Sequence, residues 1–577
     1  MKRLICYLRD YRREAVCAPI FKILEASFEL CIPLVVAAMI DKGIPSGDRG
    51  YLVKMCGLMV LLGAVGLCST LIAQFFAAKA ATGFSAKLRH AMMAHIQKLS
   101  YTDLDTIGTS TLVTRMTSDI GQVQNGVNLA LRLLLRSPFI VFGAMIMAFT
   151  VDVKCALVFA AVIPALAVVV FGIMLLTMPL YRNVQNQLDT VTDTTRENLT
   201  GYRVLRAFRK EQSEIERFCK QNRVLTAMQN KVGSISALMN PLTYVLVNGA
   251  VIALLYCGAV RVDGEMLSQG QVVALYNYLS QILVELIKLA NLMITMTKTA
   301  ACANRIADML ETGGHAETLS ELPELNEQGT VVFDHVSLKY RGAGDTSLSD
   351  ISFSAKQGEV IGIIGGTGAG KTSLVSLIPR FYEPTEGSIR IDGVDSKAFP
   401  KSELRDRIGV VPQRAVLFKG TIRENLRWGN ADADDAALND ALKTAQAADV
   451  VASKPLGLDE PISEEGSNLS GGQRQRLTIA RALVRKPEIL ILDDSSSALD
   501  YATDAALRQA IRSLPERPTV FLVSQRTASI RFADKILVLD DGTLADSGTH
   551  DELLARCPVY QEIHYSQFQK EVPHETA

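Results

Sequence analysis

The segment "ILILDDSSSALD", Ile489–Asp500, is a run of apolar β-forming residues that ends in two adjacent aspartates. A buried strand that ends in carboxylates is typical of a phosphate site, where one acid holds a metal ion and the next activates water. The second acid is more often glutamate, and here it is Asp494. The pair therefore predicts a phosphate site whose second acid is altered.

A glycine-rich loop earlier in the chain provides the other half of such a site. In "GEVIGIIGGTGAGKTSL" a short apolar strand, Val360–Ile364, leads into the pattern G-x-x-x-x-G-K-T at residues 365–372. Backbone N–H groups of this loop surround phosphate oxygens, and the helix start adds partial positive charge. We expect Lys371 to reach the β- and γ-phosphates, and Thr372 and Asp493 to hold Mg²⁺. The residues predicted to surround the phosphates are Gly365, Gly366, Thr367, Gly368, Ala369, Gly370, Lys371, Thr372 and Ser373.

A second anion-binding helix start follows in "NLSGGQRQRLTIARAL", Asn468–Leu483. This segment resembles the signature of the ATP-binding cassette (ABC) family. In that family two cassettes face each other head to tail, and each ATP is held by the phosphate loop of one and the signature of the other. The resemblance therefore implies that the signature of this chain serves the ATP of a partner. The signature residues are Ser470, Gly471, Gly472 and Gln473.

The first half of the chain contains six apolar runs that are long enough to cross a bilayer, which takes about 20 residues. In lipid, only helices satisfy their own backbone over such lengths. Two long connections, residues 77–130 and 178–237, carry most of the basic residues of this half. The positive-inside tendency predicts that they, the N-terminus and the second domain lie in the cytoplasm. The predicted spans are Val16–Ile40, Leu52–Phe76, Leu131–Thr150, Cys155–Leu176, Leu238–Val260 and Val272–Met296.

The order of six spans followed by one cassette resembles the exporter type of the ABC family over essentially the full length of the chain. The resemblance implies a multidomain fold: an all-α membrane domain of six helices, fused to an α/β phosphate-loop ATPase domain with an α-helical signature subdomain. We expect the membrane domain at residues 1–303, a linker at 304–330 and the nucleotide-binding domain at 331–577. The implied cofactors are ATP and Mg²⁺, and the implied location is the plasma membrane.

Three further positions are assigned by the resemblance alone. Tyr340 stands where an aromatic residue stacks on adenine, and Gln413 where a glutamine senses the γ-phosphate and joins the magnesium shell. Asp500 matches the loop that crosses the interface between cassettes. The predicted catalytic residues are Lys371, Gln413, Asp494 and Gln525, and the predicted magnesium ligands are Thr372, Gln413 and Asp493.

Two departures from the family pattern fall on the hydrolytic machinery. The family places a glutamate base at the position of Asp494 and a switch histidine at that of Gln525. Aspartate is one methylene shorter, which withdraws the carboxylate by about 1.5 Å, and a base must lie within about 2.6–3.2 Å of its proton. Glutamine can bond to phosphate but cannot carry a proton. Because every binding element is retained, the pattern predicts a site that holds ATP and hydrolyses it weakly.

This combination resembles heterodimeric bacterial multidrug exporters that have one degenerate site. The expected partner is a second half-transporter with the usual glutamate and histidine. The expected substrates are amphipathic drugs, lipids or peptides, moved out of the cell. Two alternatives stay open: a homodimeric lipid flippase or exporter with slow turnover, and a regulatory membrane protein that binds ATP without transporting.

Charged residues inside the spans have two interpretations. Lys22, Glu25 and Glu29 share one face of the first span, and Glu285 and Lys288 share one face of the sixth. Charges at membrane depth usually face a protein interior or a water-filled cavity. Either they form salt bridges that lock the helices together, or they line a substrate path.

Composition narrows the class further. The 577 residues are too many for one core, and the net charge of zero gives no reason to expect a nucleic-acid partner. The ten cysteines contain no CxxC pair, so we expect buried or membrane-embedded thiols in a reducing setting. The basic start "MKRLICYLRDYRREAVC" lacks an uninterrupted apolar core, so we expect an amphipathic segment on the cytoplasmic membrane face rather than a signal peptide.

Overall fold

A computed structural model describes residues 2–313, 330–495 and 497–568 of the chain. The chain divides into two compact units. The first comprises Met1–Lys98 and Thr109–Thr312, and the second comprises Leu99–Gly108 and Gly313–Ala577. Most of the linker expected at 304–330 lies outside the described residues.

Long apolar helices build the first unit, because residues that cannot hydrogen-bond to lipid must satisfy their backbone within the segment. Six of the described helices are long and apolar enough to cross a membrane, which confirms the six predicted spans. The last one continues to Glu311, beyond the domain boundary expected at residue 303, because its i to i−4 hydrogen bonds are not interrupted there. In chain order the helices are α1 (Arg3–Ser46), α2 (Arg49–Ile96), α3 (Tyr101–Ile107), α4 (Thr109–Val151), α5 (Val153–Thr200), α6 (Tyr202–Ala207), α7 (Glu211–Asp263) and α8 (Gln269–Glu311).

Short polar connections start three of these helices. Asp48 accepts hydrogen bonds from the first N–H groups of α2, and Asp152 does the same for α5 through Cys155. Ser268 and Gln271 form a reciprocal capping box at the start of α8. These caps satisfy N–H groups that have no partner within the helix, so the helices begin sharply after connections of one to five residues.

The core of the first unit joins α1, α4, α5, α7 and α8. Many of its fully buried residues are alanines. In lipid the hydrophobic effect does not drive helices together, so helices associate by close packing, and small side chains allow their backbones to approach. The largest fully buried side chain is Tyr278, and its hydroxyl donates a hydrogen bond to the backbone carbonyl of Leu30 at 2.7 Å. This hydrogen bond joins α1 to α8.

The second unit is built on two sheets. A four-stranded antiparallel sheet has the order β2-β1-β4-β5, and a six-stranded sheet has the order β12-β11-β3-β10-β9-β6. A two-stranded ribbon pairs β7 with β8. The strands are β1 (Val331–Leu338), β2 (Leu348–Ala355), β3 (Val360–Gly365), β4 (Glu386–Ile391), β5 (Val394–Asp395), β6 (Ile408–Val411), β7 (Gly420–Thr421), β8 (Pro461–Ile462), β9 (Ile489–Asp493), β10 (Thr519–Val523), β11 (Lys535–Asp540) and β12 (Thr543–Gly548).

Helices pack on these sheets and also form a separate helical layer. A cluster of buried residues joins the helices between residues 422 and 484 with one face of the six-stranded sheet. This arrangement confirms the α/β domain with a helical subdomain. The helices are α9 (Lys371–Leu377), α10 (Lys401–Asp406), α11 (Ile422–Arg427), α12 (Asp435–Thr444), α13 (Ala448–Ala452), α14 (Gly471–Val484), α15 (Tyr501–Arg512), α16 (Thr527–Ile530), α17 (His550–Arg556) and α18 (Pro558–Gln567).

The parallel register of the six-stranded sheet sets the place of the site. Val523, the last residue of β10, pairs with Ile363 of β3 on one side and with Asp493 of β9 on the other. The carboxyl ends of β3, β9 and β10 therefore lie at one edge of the sheet. In open α/β sheets, ligands bind at such an edge.

Candidate functional site

The phosphate loop curls between β3 and α9. Gly368 and Gly370 have φ values of +87° and +88°, in the left-handed region that glycine adopts without steric cost. A Cβ on Gly370 would lie 2.7 Å from the backbone oxygen of Ser347, so no larger residue fits. The Lys371 ammonium donates to the carbonyl oxygens of Gly365 and Gly366 at 2.9 and 2.6 Å. The loop is thus shaped as a cradle with its lysine folded over it.

The Thr372 hydroxyl donates to the Asp493 carboxylate at 3.1 Å, which joins the start of α9 to the end of β9. Both groups offer oxygen, the donor that Mg²⁺ prefers, and Mg²⁺ usually keeps substrate phosphates among its ligands. The pair fits a magnesium ion that arrives with a nucleotide. Such an ion would neutralise phosphate charge at this place.

A cavity of about 500 Å³ brings the predicted phosphate-end residues together. Its lining includes Thr367, Gly368, Ala369, Gly370, Lys371, Thr372, Ser373, Gln413, Asp493, Asp494 and Gln525. Within it, the amide nitrogen of Gln413 donates to the Asp494 carboxylate at 3.4 Å, a long hydrogen bond. Two polar residues that are far apart in the sequence therefore meet opposite the phosphate loop.

Asp494 has a constrained backbone. Its φ is +46°, in the left-handed region where aspartate is found more often than most residues. Its N–H donates to the carbonyl oxygen of Val523 at 3.1 Å, so the turn after β9 is anchored to β10. The backbone that carries this carboxylate into the cavity lining is therefore tied to the neighbouring strand.

Burial controls the protonation of this cluster. It raises the pKa of Asp494, although Gln413 and Lys371 act in the opposite direction. It also raises the pKa of Asp493, and there the neighbouring charge of Asp494 adds to the effect. Burial lowers the pKa of Lys371 against the attraction of both carboxylates. Two carboxylates that resist ionisation together are stabilised by a divalent cation, which agrees with the oxygen donors described above.

Gln525 follows β10, one residue after the buried Ser524, and its side chain is exposed to the cavity. It therefore lines the same cavity as Asp494, and the ABC pattern has a histidine at its position. Arg526, the next residue, lies over the ring of Tyr501 at 5.3 Å. The two family departures thus share one cavity.

Tyr340 lies two residues after β1. It is not among the described residues that line the phosphate-loop cavity. Its hydroxyl donates to the Ser373 hydroxyl at 2.9 Å, and its ring meets that of Tyr382 edge to face at 4.9 Å. The ring is half-buried beside the first turn of α9. Its stacking on adenine stays a prediction.

The signature residues form a different surface of the same unit. Ser470 caps α14 through the N–H of Gln473, and the Gln473 side chain accepts from the N–H of Ser470 at 3.0 Å. Among the described residues that line the phosphate-loop cavity, none belongs to the signature. Asp500 caps α15 by accepting from the Thr503 N–H at 2.9 Å. The signature is therefore a capped helix start that does not line the phosphate-loop cavity of this chain.

A second cluster lies within the membrane unit. The Arg136 guanidinium of α4 donates to Glu285 of α8 at 2.6 Å and to Glu29 of α1 at 2.7 Å. Ser137 and Lys288 also donate to Glu285, at 2.7 and 2.8 Å. Glu285 is almost wholly buried, at 4% side-chain exposure. One carboxylate and one guanidinium thus connect three spans.

The network extends along α1. Lys22 pairs with Glu25 at 2.5 Å, and Glu25 lies 3.8 Å from Arg136. Three carboxylates face three cations, so the cluster is electrically balanced. All five charges singled out in the sequence belong to it: Lys22, Glu25, Glu29, Glu285 and Lys288.

Sequence reasoning missed Arg136, the centre of this cluster. It lies in "LRLLLRSPFIVF", at the beginning of an apolar run, where an arginine usually extends its side chain to the membrane surface. The sequence signal that could have indicated it is the charge count, because the first and sixth spans together carry three carboxylates and only two lysines. A buried carboxylate without a partner is costly, so a further cation was required nearby.

Six membrane-crossing helices joined to a phosphate-loop domain define a nucleotide-driven transport ATPase of the membrane. Residues 16–286 match the family described as ABC transporter transmembrane region, and residues 348–497 match the family described as ABC transporter. The uncharacterized ABC transporter ATP-binding protein YfiB of Bacillus subtilis (strain 168) is 36% identical over 578 residues, which covers 99% of each chain. The chain therefore belongs to the ABC transporter family, in the exporter form with fused membrane and ATP-binding domains.

Two other comparisons agree with this assignment. An ATP-dependent lipid A-core flippase of Chromohalobacter salexigens is 30% identical over 569 residues, covering 99% of this chain and 98% of the flippase. The structure of a bacterial Atm1-family ABC exporter with ATP bound superposes with a TM-score of 0.80 at 25% identity, covering 97% of this chain and 99% of that chain. The predictions of an exporter fold and of a transport ATPase are confirmed.

Proposed function

We propose that this chain is the degenerate-site subunit of a heterodimeric exporter. The observation that carries the proposal is the phosphate cavity, where Asp494 and Gln525 line the wall at which the family has glutamate and histidine. The residues proposed to bind phosphate and magnesium, Lys371 and the Thr372–Asp493 pair, lie together in the same cavity. The groups that bind ATP are in place, and both hydrolytic groups are altered. Such a site binds ATP and hydrolyses it slowly.

The signature supplies the second part of the proposal. Ser470 and Gln473 form an unaltered capping box, so the N–H groups at the start of α14 are held for an anion. They would complete the ATP site of the partner, whose own cassette would carry the glutamate and the histidine at the positions that Asp494 and Gln525 occupy here. In this arrangement the partner's site hydrolyses ATP, and this chain's phosphate loop provides a retained ATP that keeps the cassettes engaged.

The proposed cycle follows from differential affinity. ATP binding favours closed cassettes, and hydrolysis at the partner's site reopens them, which shifts the membrane helices between inward- and outward-facing states. We place the protein in the plasma membrane, with its N-terminus and nucleotide-binding domain in the cytoplasm, because the long basic connections follow the positive-inside tendency. The proposed substrates are amphipathic compounds, among them lipids, drugs or peptides.

One alternative has a specific observation in its favour. A relative at 30% identity is named as a lipid A-core flippase, and the Asp494 carboxylate is held in the cavity near Gln413. A homodimer that moves lipid slowly with two Asp494 sites would fit both facts. The activity of the isolated chain separates it from the heterodimer.

The isolated chain is expected to bind ATP but to hydrolyse it at least about tenfold more slowly per site than the complex with its partner, because a missing general base costs about 10²–10⁴-fold. The measurement combines labelling by a photoreactive ATP analogue with phosphate release from purified protein in nanodiscs. Comparable turnover with and without a second half-transporter would support the homodimer instead.

In the heterodimer, Ser470→Ala is expected to lower hydrolysis about tenfold, because it removes a hydroxyl and a cap from the partner's site. Asp494→Asn is expected to change hydrolysis less than about twofold, because that carboxylate is already a poor base. Lys371→Ala should release the retained nucleotide. Steady-state phosphate release and bound-nucleotide stoichiometry distinguish the three variants, and equal losses for Ser470→Ala and Asp494→Asn would contradict the asymmetric mechanism.

A further inference from the structure

The segment that carries Gln525 is held from outside by the last residue of α18. The amide nitrogen of Gln567 donates to the backbone carbonyl of Gln525 at 2.6 Å. Its amide oxygen accepts from the N–H of Thr527 at 2.9 Å and from the Thr527 hydroxyl at 3.1 Å. One side chain thus makes three hydrogen bonds to the two residues that flank Arg526: two with backbone groups of Gln525 and Thr527, and one with the Thr527 hydroxyl.

The other side of the segment is also fixed. The N–H of Ser524 donates to the carbonyl of Ile363 in β3 at 3.1 Å, and the Ser524 hydroxyl accepts from the N–H of Arg526 at 3.0 Å. Gln525 lies between these anchors with an exposed side chain that lines the phosphate cavity. The backbone from which that side chain extends is therefore fixed on one side through Ser524 and on the other through the bond from Gln567 to the Gln525 carbonyl.

We infer that Gln567 is a positioning residue that directs the Gln525 side chain toward the γ-phosphate. The inference rests on the proposed function, in which Gln525 contacts that phosphate. Gln567 does not line the cavity and touches no reacting atom. Its effect is transmitted through the Gln525 carbonyl, so α18 becomes part of the nucleotide-sensing apparatus of this chain.

The amide group allows donor and acceptor roles to be separated. Gln567→Glu keeps an oxygen for both Thr527 donors but replaces the N–H donor with a carboxylate oxygen that repels the Gln525 carbonyl. Gln561→Glu is the matched control, because it removes an equivalent donor on the same helix, where the Gln561 amide donates to Leu554 at 2.8 Å. The control should preserve nucleotide binding.

The test is the affinity of the purified full-length chain for Mg-ATP and Mg-ADP, measured with fluorescent nucleotide analogues in nanodiscs. A hydrogen bond to a charged group is worth about tenfold or more in affinity. Gln525→Ala should therefore weaken ATP about tenfold, and Gln567→Glu about threefold to tenfold, while both leave ADP unchanged because it has no γ-phosphate. In the Gln525→Ala background, Gln567→Glu should have no further effect.

The outcomes distinguish the proposed contact of Gln525 with the γ-phosphate from the positioning of Gln525 by Gln567. If the unmodified chain and Gln525→Ala bind ATP equally well, the proposed role of Gln525 fails. If Gln525→Ala weakens ATP and Gln567→Glu does not, only the positioning role fails. Equal weakening of ATP and ADP by Gln567→Glu, or additive effects in the double variant, would show a merely structural contact and overturn the inference.

Discussion

Replacing Asp494 with glutamate and Gln525 with histidine together should raise ATP hydrolysis by the isolated chain about a hundredfold, within the range that a well-placed base contributes. The longer side chain restores a carboxylate within reach of the attacking water. Histidine restores a group that can both bond to the γ-phosphate and carry a proton. Phosphate release at saturating Mg-ATP measures the effect.

The single variants test the division of roles. Asp494→Glu alone should recover most of the gain, less the strain of placing glutamate at a φ of +46°, where aspartate is better tolerated. The control is Asp494→Asn combined with Gln525→His, which carries the histidine without a base and should stay as slow as the natural chain. Nucleotide affinity should be retained in all three, because Lys371 and Thr372 are unchanged.

A double variant that binds ATP normally and remains as slow as the natural chain would show that neither residue limits hydrolysis. The degenerate-site proposal would then be wrong. If the natural chain already turned over as fast as the variant, the homodimeric alternative would be favoured. Both conclusions depend only on the hydrolysis rates of one purified chain and its variants, so the experiment does not require the partner to be known.

Sequence was sufficient for the parts of the site that are contiguous. The phosphate loop occupies residues 365–372, between β3 and α9, and its backbone geometry follows from glycine placement within that stretch. The capping box of the signature is likewise local, because Ser470 and Gln473 are three residues apart. Motifs of this kind fix their own geometry, so spacing alone predicts them.

Contacts between distant residues could not be predicted in the same way. Arg136 and Glu285 are 149 residues apart, and Gln525 and Gln567 are 42 apart. Both pairs depend on which elements pack together in the folded chain, and neither has a local spacing rule. The left-handed turn at Asp494 is similar, because its N–H bonds to Val523 of a neighbouring strand. The sequence does not predict the partner residues of such contacts.

The membrane charges show how the structure narrows a question that the sequence left open. Every charge of the cluster has a partner of opposite sign within 4.0 Å. A free carboxylate in a substrate path would be expected to have no such partner. Glu29 and Lys288 are the more exposed members, at 37% and 44%, and Glu285 is the most buried carboxylate. We therefore expect the cluster to lock α1, α4 and α8 together.

Arg136→Met should destabilise the membrane unit by about 3–5 kcal/mol, because removal of one partner leaves buried charge uncompensated. In this variant Glu285 keeps only the partly exposed Lys288 and Ser137, and Glu29 loses its cation. The expected result is a large fall in the yield of monodisperse protein and in the thermal midpoint of the remainder. Size-exclusion chromatography of a fluorescent fusion, with a thermal challenge, measures both.

The double variant Arg136→Met with Glu285→Met should recover most of that loss. Replacing a buried pair by apolar residues of similar volume is often neutral or stabilising, because both desolvation costs disappear together. Glu29→Gln is the matched control, since this carboxylate is partly exposed and its loss still leaves Arg136 bonded to Glu285 at 2.6 Å. It should reduce stability by less than either buried substitution. If Arg136→Met instead folded normally and lost transport of charged compounds while neutral compounds still moved, the cluster would be a substrate path, and the helix-locking interpretation would be wrong.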